Sequence, residues 1–257
     1  CAARLALPAN TPFNGRPEAS DLQFDAEKVT AYEVGFKLDT RQFDLNVAAF
    51  YSAFDNYQLN TFNGLTFEVT NVQGCKDKLN GADRDGSAAT GGCDASRLRP
   101  GVVSKGFESE FFVYPARHLS LNGGITYLNS RYRNDLVGTG GRALSPVLFQ
   151  LPGRRTFSAA YTVTAAISYT PPITDRLSAL IYFDTRLQSD VNTGSDLDIE
   201  KVQDGFALVN GRVGLLGPDR KWSLEFWGQN IFNKKYQQVA ADAPGQIGQG
   251  CLLRGNR

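Results

Sequence analysis

The feature that most constrains this chain is an alternation of apolar and polar residues with period two, repeated along most of its length. From Gln42 to Phe54 the odd positions are Phe43, Leu45, Val47, Ala49, Tyr51 and Ala53, while the even ones include Asp44, Asn46, Ala48 and Ser52. Successive side chains of a strand point to opposite faces, so this pattern predicts ribbons with one greasy and one wetter side. Tyr32, Val34, Phe36 and Leu38 alternate in the same way just before, and Asp39 to Arg41 leaves room only for a hairpin turn. Phe107 to Val113 and Leu119 to Tyr127 form a second predicted pair around Pro115-Ala116-Arg117. A third joins Thr156–Tyr169 to Arg176–Leu187 through Pro171-Pro172. Phe206–Leu216 and Lys221–Phe232 make the fourth, across Gly217-Pro218-Asp219-Arg220. No segment carries a helical stripe.

The connections separate the all-β classes. Short turns alternate strictly with long connections at Asn63–Gly101, Arg133–Arg155 and Gln188–Gly205. In an up-and-down meander this places every short turn at one end and every long loop at the other, as in outer-membrane barrels. A Greek-key sandwich has no reason to sort its loops so. The apolar face of Phe43–Ala53 and Phe157–Tyr169 carries no charge, and Tyr114, Tyr127, Tyr132, Tyr169 and Trp222 sit near strand ends, as interfacial girdles require. The expected fold is therefore an antiparallel up-and-down transmembrane β-barrel, present in part as about eight strands of a larger barrel. A small barrel closed by those eight strands is the alternative.

Composition removes other classes. Lys+Arg 27 against Asp+Glu 26 gives a net charge of +1, which supplies no field for nucleic acid. No run of about 18 apolar residues exists for a transmembrane helix, which leaves strands free to cross. The absence of Met and of a leader-like N-terminus reads as a piece of a longer protein. Cys75 and Cys93 bracket a polar segment rich in Gly, Asp, Ser and Ala. A disulfide there would close that loop in an oxidising compartment, and two free thiols are the alternative. Whether Cys1 and Cys251 pair is open.

Several stretches resemble the barrel of TonB-dependent receptors, on the siderophore-receptor side of that family. Phe13-Asn14-Gly15-Arg16-Pro17 and Tyr32-Glu33-Val34-Gly35-Phe36-Lys37 come first, then Val69-Thr70-Asn71-Val72. Ser104-Lys105-Gly106-Phe107-Glu108, Leu208-Val209-Asn210-Gly211-Arg212-Val213-Gly214 and Trp227-Gly228-Gln229-Asn230-Ile231-Phe232-Asn233-Lys234-Lys235-Tyr236 follow in the family's order. The resemblance implies the C-terminal portion of a receptor barrel, with the N-terminal plug and the last strand outside this chain. It implies active import of a ferric siderophore or similar scarce nutrient across the outer membrane. The plug would couple to the TonB–ExbB–ExbD complex, with membrane lipid around the barrel and no cofactor. A passive outer-membrane pore is the alternative.

Residues in the long connections would meet a ligand, with Arg142, Arg154 and Arg155 as candidates for an anionic chelate. Asp83-Arg84-Asp85-Gly86 lacks the flanking ligands of a calcium loop and reads as a turn. An enzyme is not expected. His118 is the one histidine, beside a short turn and without a nucleophile, and Glu108 and Glu110 are explained by an interior wall.

Overall fold

The computed structural model describes residues 24–62, 67–76 and 92–242, and the backbone of 250–255. In chain order, β1 (Lys28–Asp39) and β2 (Phe43–Asp55) form a hairpin. The connection that follows holds β3 (Tyr57–Phe62), β4 (Phe67–Cys75) and β5 (Leu98–Pro100) before β6 (Val102–Ala116) and β7 (Leu119–Tyr132). β8 (Leu136–Gly138) precedes β9 (Tyr161–Tyr169), β10 (Pro172–Thr174) and β11 (Leu177–Gln188). Two short strands, β12 (Val191–Asn192) and β13 (Val202–Gln203), lead to β14 (Phe206–Leu216), β15 (Ser223–Gly228), β16 (Tyr236–Asp242) and β17 (Gly250–Gly255).

Eight strands, β1-β2-β6-β7-β9-β11-β14-β15, form one antiparallel meander in sequence order. The end strands β1 and β15 do not pair with each other, so the sheet is an open arc of a larger barrel and the closed eight-stranded alternative does not form. Each short turn has its own closure. Thr40 Oγ1 and N both donate to Phe43 O, at 2.7 and 3.0 Å. Asp219 and Arg220 take the left-handed conformation (φ 52° and 56°) beneath the Gly217 N to Trp222 O bond of 2.9 Å.

Apart from a bulge between Val113 and Ala116 beside the β6–β7 turn, the register carries the period-two pattern unbroken from β1 to β14. Gly35, Ala48, Glu108, Thr126, Thr162, Gln188 and Phe206 lie in one row across β1 to β14, on the concave side. One residue along, Val34, Ala49, Phe107, Tyr127 and Tyr161 form the matching row on the convex side. On the inner strands of that convex face Phe107 is 39%, Tyr161 42% and Phe183 41% exposed, which only a non-aqueous surrounding tolerates over such an area.

The dry core lies elsewhere, in a lobe at the long-loop end. Leu59, Val72, Val102, Tyr132, Leu136, Leu144, Leu148, Leu151 and Leu197 pack together there, from all three long connections and the strand ends beneath them. A second sheet, β3-β4-β5 with β8 added to β4, frames it. Tyr132, expected at the membrane interface, is instead 2% exposed and meets Tyr57 edge-on at 6.0 Å. Tyr114 likewise turns to the concave side, in a groove with Ser168 and Arg212.

Two strand boundaries differ from expectation. The strand expected from Thr156 begins at Tyr161. Thr156 N bonds Ser130 O (3.0 Å) and Leu128 N bonds Ala160 O (2.7 Å), so four steps of one chain oppose two of the other. Local hydroxyls stabilise the excursion: Thr156 Oγ1 meets Ser158 Oγ at 2.9 Å, and Ser189 Oγ accepts from Ala160 N at 2.8 Å. The last wall strand stops at Gly228 because Asn230 and Asn233 adopt positive φ (46° and 50°), which asparagine tolerates better than most residues.

Candidate ligand vestibule

The concave face ends, under the loop lobe, in a cavity of about 800 Å³. Its floor is the wall itself, with Thr126 from β7, Thr162 from β9, Arg186 and Gln188 from β11 and Leu208 from β14. Its rim is Phe62 and Phe67 from the β3–β4 hairpin, the 189–205 connection and β16. Aromatic pairs brace it: Phe62 and Phe67 are 5.0 Å apart, and Phe206 stacks on Tyr236 at 4.7 Å. The volume and the mixed apolar and hydrogen-bonding lining suit a small molecule.

The rim is fixed by a buried ionic node. Lys201 is 1% exposed, and its Nζ donates to Asp196 Oδ2, to Asp242 Oδ1 at 2.6 Å and to Asp198 Oδ2 at 3.2 Å. Burial opposes the ammonium charge, but hydrogen bonds to Asp196 and Asp242 outweigh it and hold Lys201 above its ordinary value. Burial, and next the neighbouring Asp196, raise Asp242 against the opposing pull of Lys201. Backbone bonds reinforce the join: Thr193 N donates to Lys201 O at 2.9 Å, and Gln237 Nε2 donates to the same oxygen at 3.1 Å. Asp196, Asp198 and Asp242 also have the grouping of a cation site, but Lys201 already supplies the positive charge among them. Sequence reading placed the 189–205 segment among the external loops yet missed this node. Its one signal was two aspartates and a lysine within six residues.

The predicted site residues scatter. Arg142 and Arg154 are exposed in the 133–160 connection. Arg155 sits opposite Arg131 in a single β-bridge. None of the three lines the vestibule. Cys75 and Cys93 are joined with a Cα–Cα separation of 6.0 Å, buried beside Val137 and Leu98. His118 lies in the β6–β7 turn with φ 65°, at the opposite end from the vestibule. Glu108 and Glu110 occupy adjacent concave rows. Asp83 to Gly86, Phe13 to Pro17 and Cys1, as well as the side chain of Cys251, lie outside the described residues.

Several motif residues act as internal ties. Asn71, 1% exposed, donates to Asp25 O (3.0 Å) and Asn56 O (2.7 Å) and accepts from Asp25 N (2.8 Å). Asn210 donates to Asp184 Oδ2 at 2.7 Å and accepts from Asn230 N at 2.9 Å, while Asn230 bonds both Lys234 N and Lys234 O. Arg212 spans Glu225 at 3.4 Å and lies 5.4 Å from the Tyr182 ring centroid.

An uncharged convex belt, a polar concave wall and a loop-roofed vestibule define a sector of a bacterial outer-membrane β-barrel. The profile described as "TonB dependent receptor-like, beta-barrel" matches residues 6–231, and the chain belongs to that family. Such barrels sit in the bacterial outer membrane, and the family is one of transporters rather than enzymes.

Solved structures agree on the fold. The ferric yersiniabactin uptake receptor FyuA from Yersinia pestis superposes with a TM-score of 0.62 at 16% identity, over 90% of this chain and 28% of that one. The siderophore receptor PiuA from Acinetobacter baumannii gives 0.59 at 14% identity, over 93% and 28%. The ferric-catecholate import receptor Fiu from Escherichia coli K12 gives 0.56 at 13%, over 91% and 26%. The chain thus spans little more than a quarter of the solved receptors it matches.

Proposed function

We propose that this chain is the C-terminal portion of the barrel of an active importer for a ferric siderophore or a similar scarce nutrient, driven through TonB. The observation that carries the reading is the vestibule: a concave cavity at the loop end of a family barrel, with a rim held by the Lys201 node. The receptors it superposes on include ones named for ferric chelates. In this reading a plug domain encoded elsewhere in the protein closes the lumen and engages the TonB–ExbB–ExbD complex. The exposed Arg142 and Arg154 face arriving ligand, and the Cys75–Cys93 bridge ties the end of β4 to the chain just ahead of β5 at the cell surface.

The test is growth of a strain deleted for the whole receptor gene, on a panel of iron chelates supplied as sole iron source. Loss of growth on one chelate, restored by the intact gene and not when TonB is absent, is the expected result. Undiminished use of every chelate would remove the iron assignment. TonB-independent uptake would favour a passive pore.

A further inference from the structure

The vestibule hides its lysine and shows its carboxylates. Among the described residues that line it, Arg186, Asp196, Lys201 and Asp242 carry charge. Lys201 is 1% exposed, whereas Asp196 and Asp242 keep 14% and 24% of their side chains open. Asp198, at the outer edge of the node, adds a further carboxylate. The ammonium is spent inside the protein, so a ligand passing the rim meets carboxylate oxygen rather than nitrogen. Arg186, on the floor, is the other cation, and it already donates through Nη2 to Gln188 Oε1 at 3.1 Å. Arg142 and Arg154, the exposed cations of the 133–160 connection, stand outside the lining.

The rest of the lining is uncharged. Phe62 with Phe67, and Phe206 with Tyr236, offer aromatic surface at the rim. Thr126 and Thr162 add hydroxyls on the floor, and Gln188 adds an amide. Charges act on one another within a Debye length of about 8 Å, and further where a protein wall displaces water. A cavity of about 800 Å³ holds the centre of its occupant within that range of the Lys201 node.

We propose that the vestibule selects a ferric chelate of zero net charge, of the trihydroxamate type, and rejects polyanionic chelates such as a tricatecholate. Three monoanionic bidentate donors cancel the charge of iron(III), whereas three dianionic ones leave a trianion. The neutral complex turns amides and methylenes outward, which match the hydroxyls, amide and aromatic faces of this wall. The trianion finds one counter-charge among the described lining residues, Arg186, and the open carboxylates of Asp196 and Asp242 oppose it. Repulsion of the wrong charge class is as effective a source of specificity as attraction of the right one. The inference rests on the import reading and names the charge class of its ligand.

The experiment uses the full-length receptor in neutral detergent, with quenching of its tryptophan fluorescence as the measure of binding. The probes are a linear ferric trihydroxamate and a ferric tricatecholate. At low salt the neutral chelate should bind roughly tenfold or more tightly than the trianion, and about 0.5 M salt should narrow the gap by screening the carboxylates. Thr162→Lys, which puts a second cation on the floor, should narrow the gap too, in a barrel that keeps its heat-modifiable gel mobility. Equal or tighter binding of the trianion by wild type would overturn the charge class and leave the import reading standing. A gap that salt does not move would overturn it as well, because shape and not charge would then discriminate. Binding of neither chelate would also sink it, and undiminished growth of the deletion strain on every iron source would show that the import reading had failed with it.

Discussion

Gly106 on β6 lies against the backbone of Tyr127 on β7, so that a Cβ added to Gly106 would run into the Tyr127 carbonyl oxygen. The Phe50 ring covers the position from the other side, 3.0 Å from the same point. The glycine of the Ser104-Lys105-Gly106-Phe107-Glu108 stretch is thus required by close strand approach rather than by ligand chemistry. Gly106→Ala should destabilise the barrel by about 2 kcal/mol or more, because backbone cannot move aside as a flexible side chain would. The loss is read as a lower temperature of heat-modifiable mobility in the full receptor. An unchanged transition would mean that the strands have slack here.

Asn71 bonds two backbone segments that flank β1 and β2 from within the lobe. Asn71→Ala strands buried carbonyls and an amide, at about 1–3 kcal/mol. Hydrogen exchange should accelerate around Asp25 and Asn56 while the distant turn at Gly217 keeps its protection. Equal acceleration at both places would show a global rather than a local tie.

Lys201 neutralises carboxylates from two separate segments in a dry setting. Lys201→Met leaves them facing one another unpaired, and should cost the lobe about 3–5 kcal/mol. Asp198→Asn, at the half-exposed edge of the node, should cost no more than about 1 kcal/mol. Proteolytic release of the 236–242 segment in the first variant and not in the second is the expected pattern. Comparable sensitivity of the two would deny the node its central place.

The same node sets a pH response. Lys201 is raised in the folded state, so its charged form is favoured by folding. Its contribution is complete below the ordinary lysine value of 10.5 and is lost as pH climbs through the higher folded value. Near-ultraviolet circular dichroism of the lobe should therefore hold steady from neutral pH to about 10 and weaken beyond it, with the Lys201→Met variant lacking the alkaline step. An alkaline step of equal size in that variant would assign it to another group.

The Cys75–Cys93 bridge closes 18 residues of sequence separation against the β4–β8 pairing. Reduction, or Cys75→Ser with Cys93→Ser, should destabilise the lobe by about 3 kcal/mol. The wall sheet should be untouched, since its strands make no use of the bridge. A melting curve with two transitions, of which the reductant moves one, is the expected readout.

The eight wall strands and their faces were legible in the sequence. Alternation is a local property, set by each residue's place on its own strand, and the register preserved it from β1 to β14. The sorting of short turns and long connections was equally local, and the order of motifs named the family. What lay hidden depends on residues far apart in the chain. Tyr132 has the composition of an interfacial anchor, yet it is buried because Tyr57 and Leu136 arrive from neighbouring segments. Lys201 and Asp242 are separated by forty-one positions and meet only through the stapling of β16 to the 189–205 connection. Arg155 lies opposite Arg131 rather than Arg133 because an excursion between Thr156 and Ala160 resets the pairing with β7. Sequence alone therefore determined which side of each ribbon is greasy. The folded chain decided where the core, the vestibule and the charged rim would be, because those are made by contacts between segments that no period along the chain encodes.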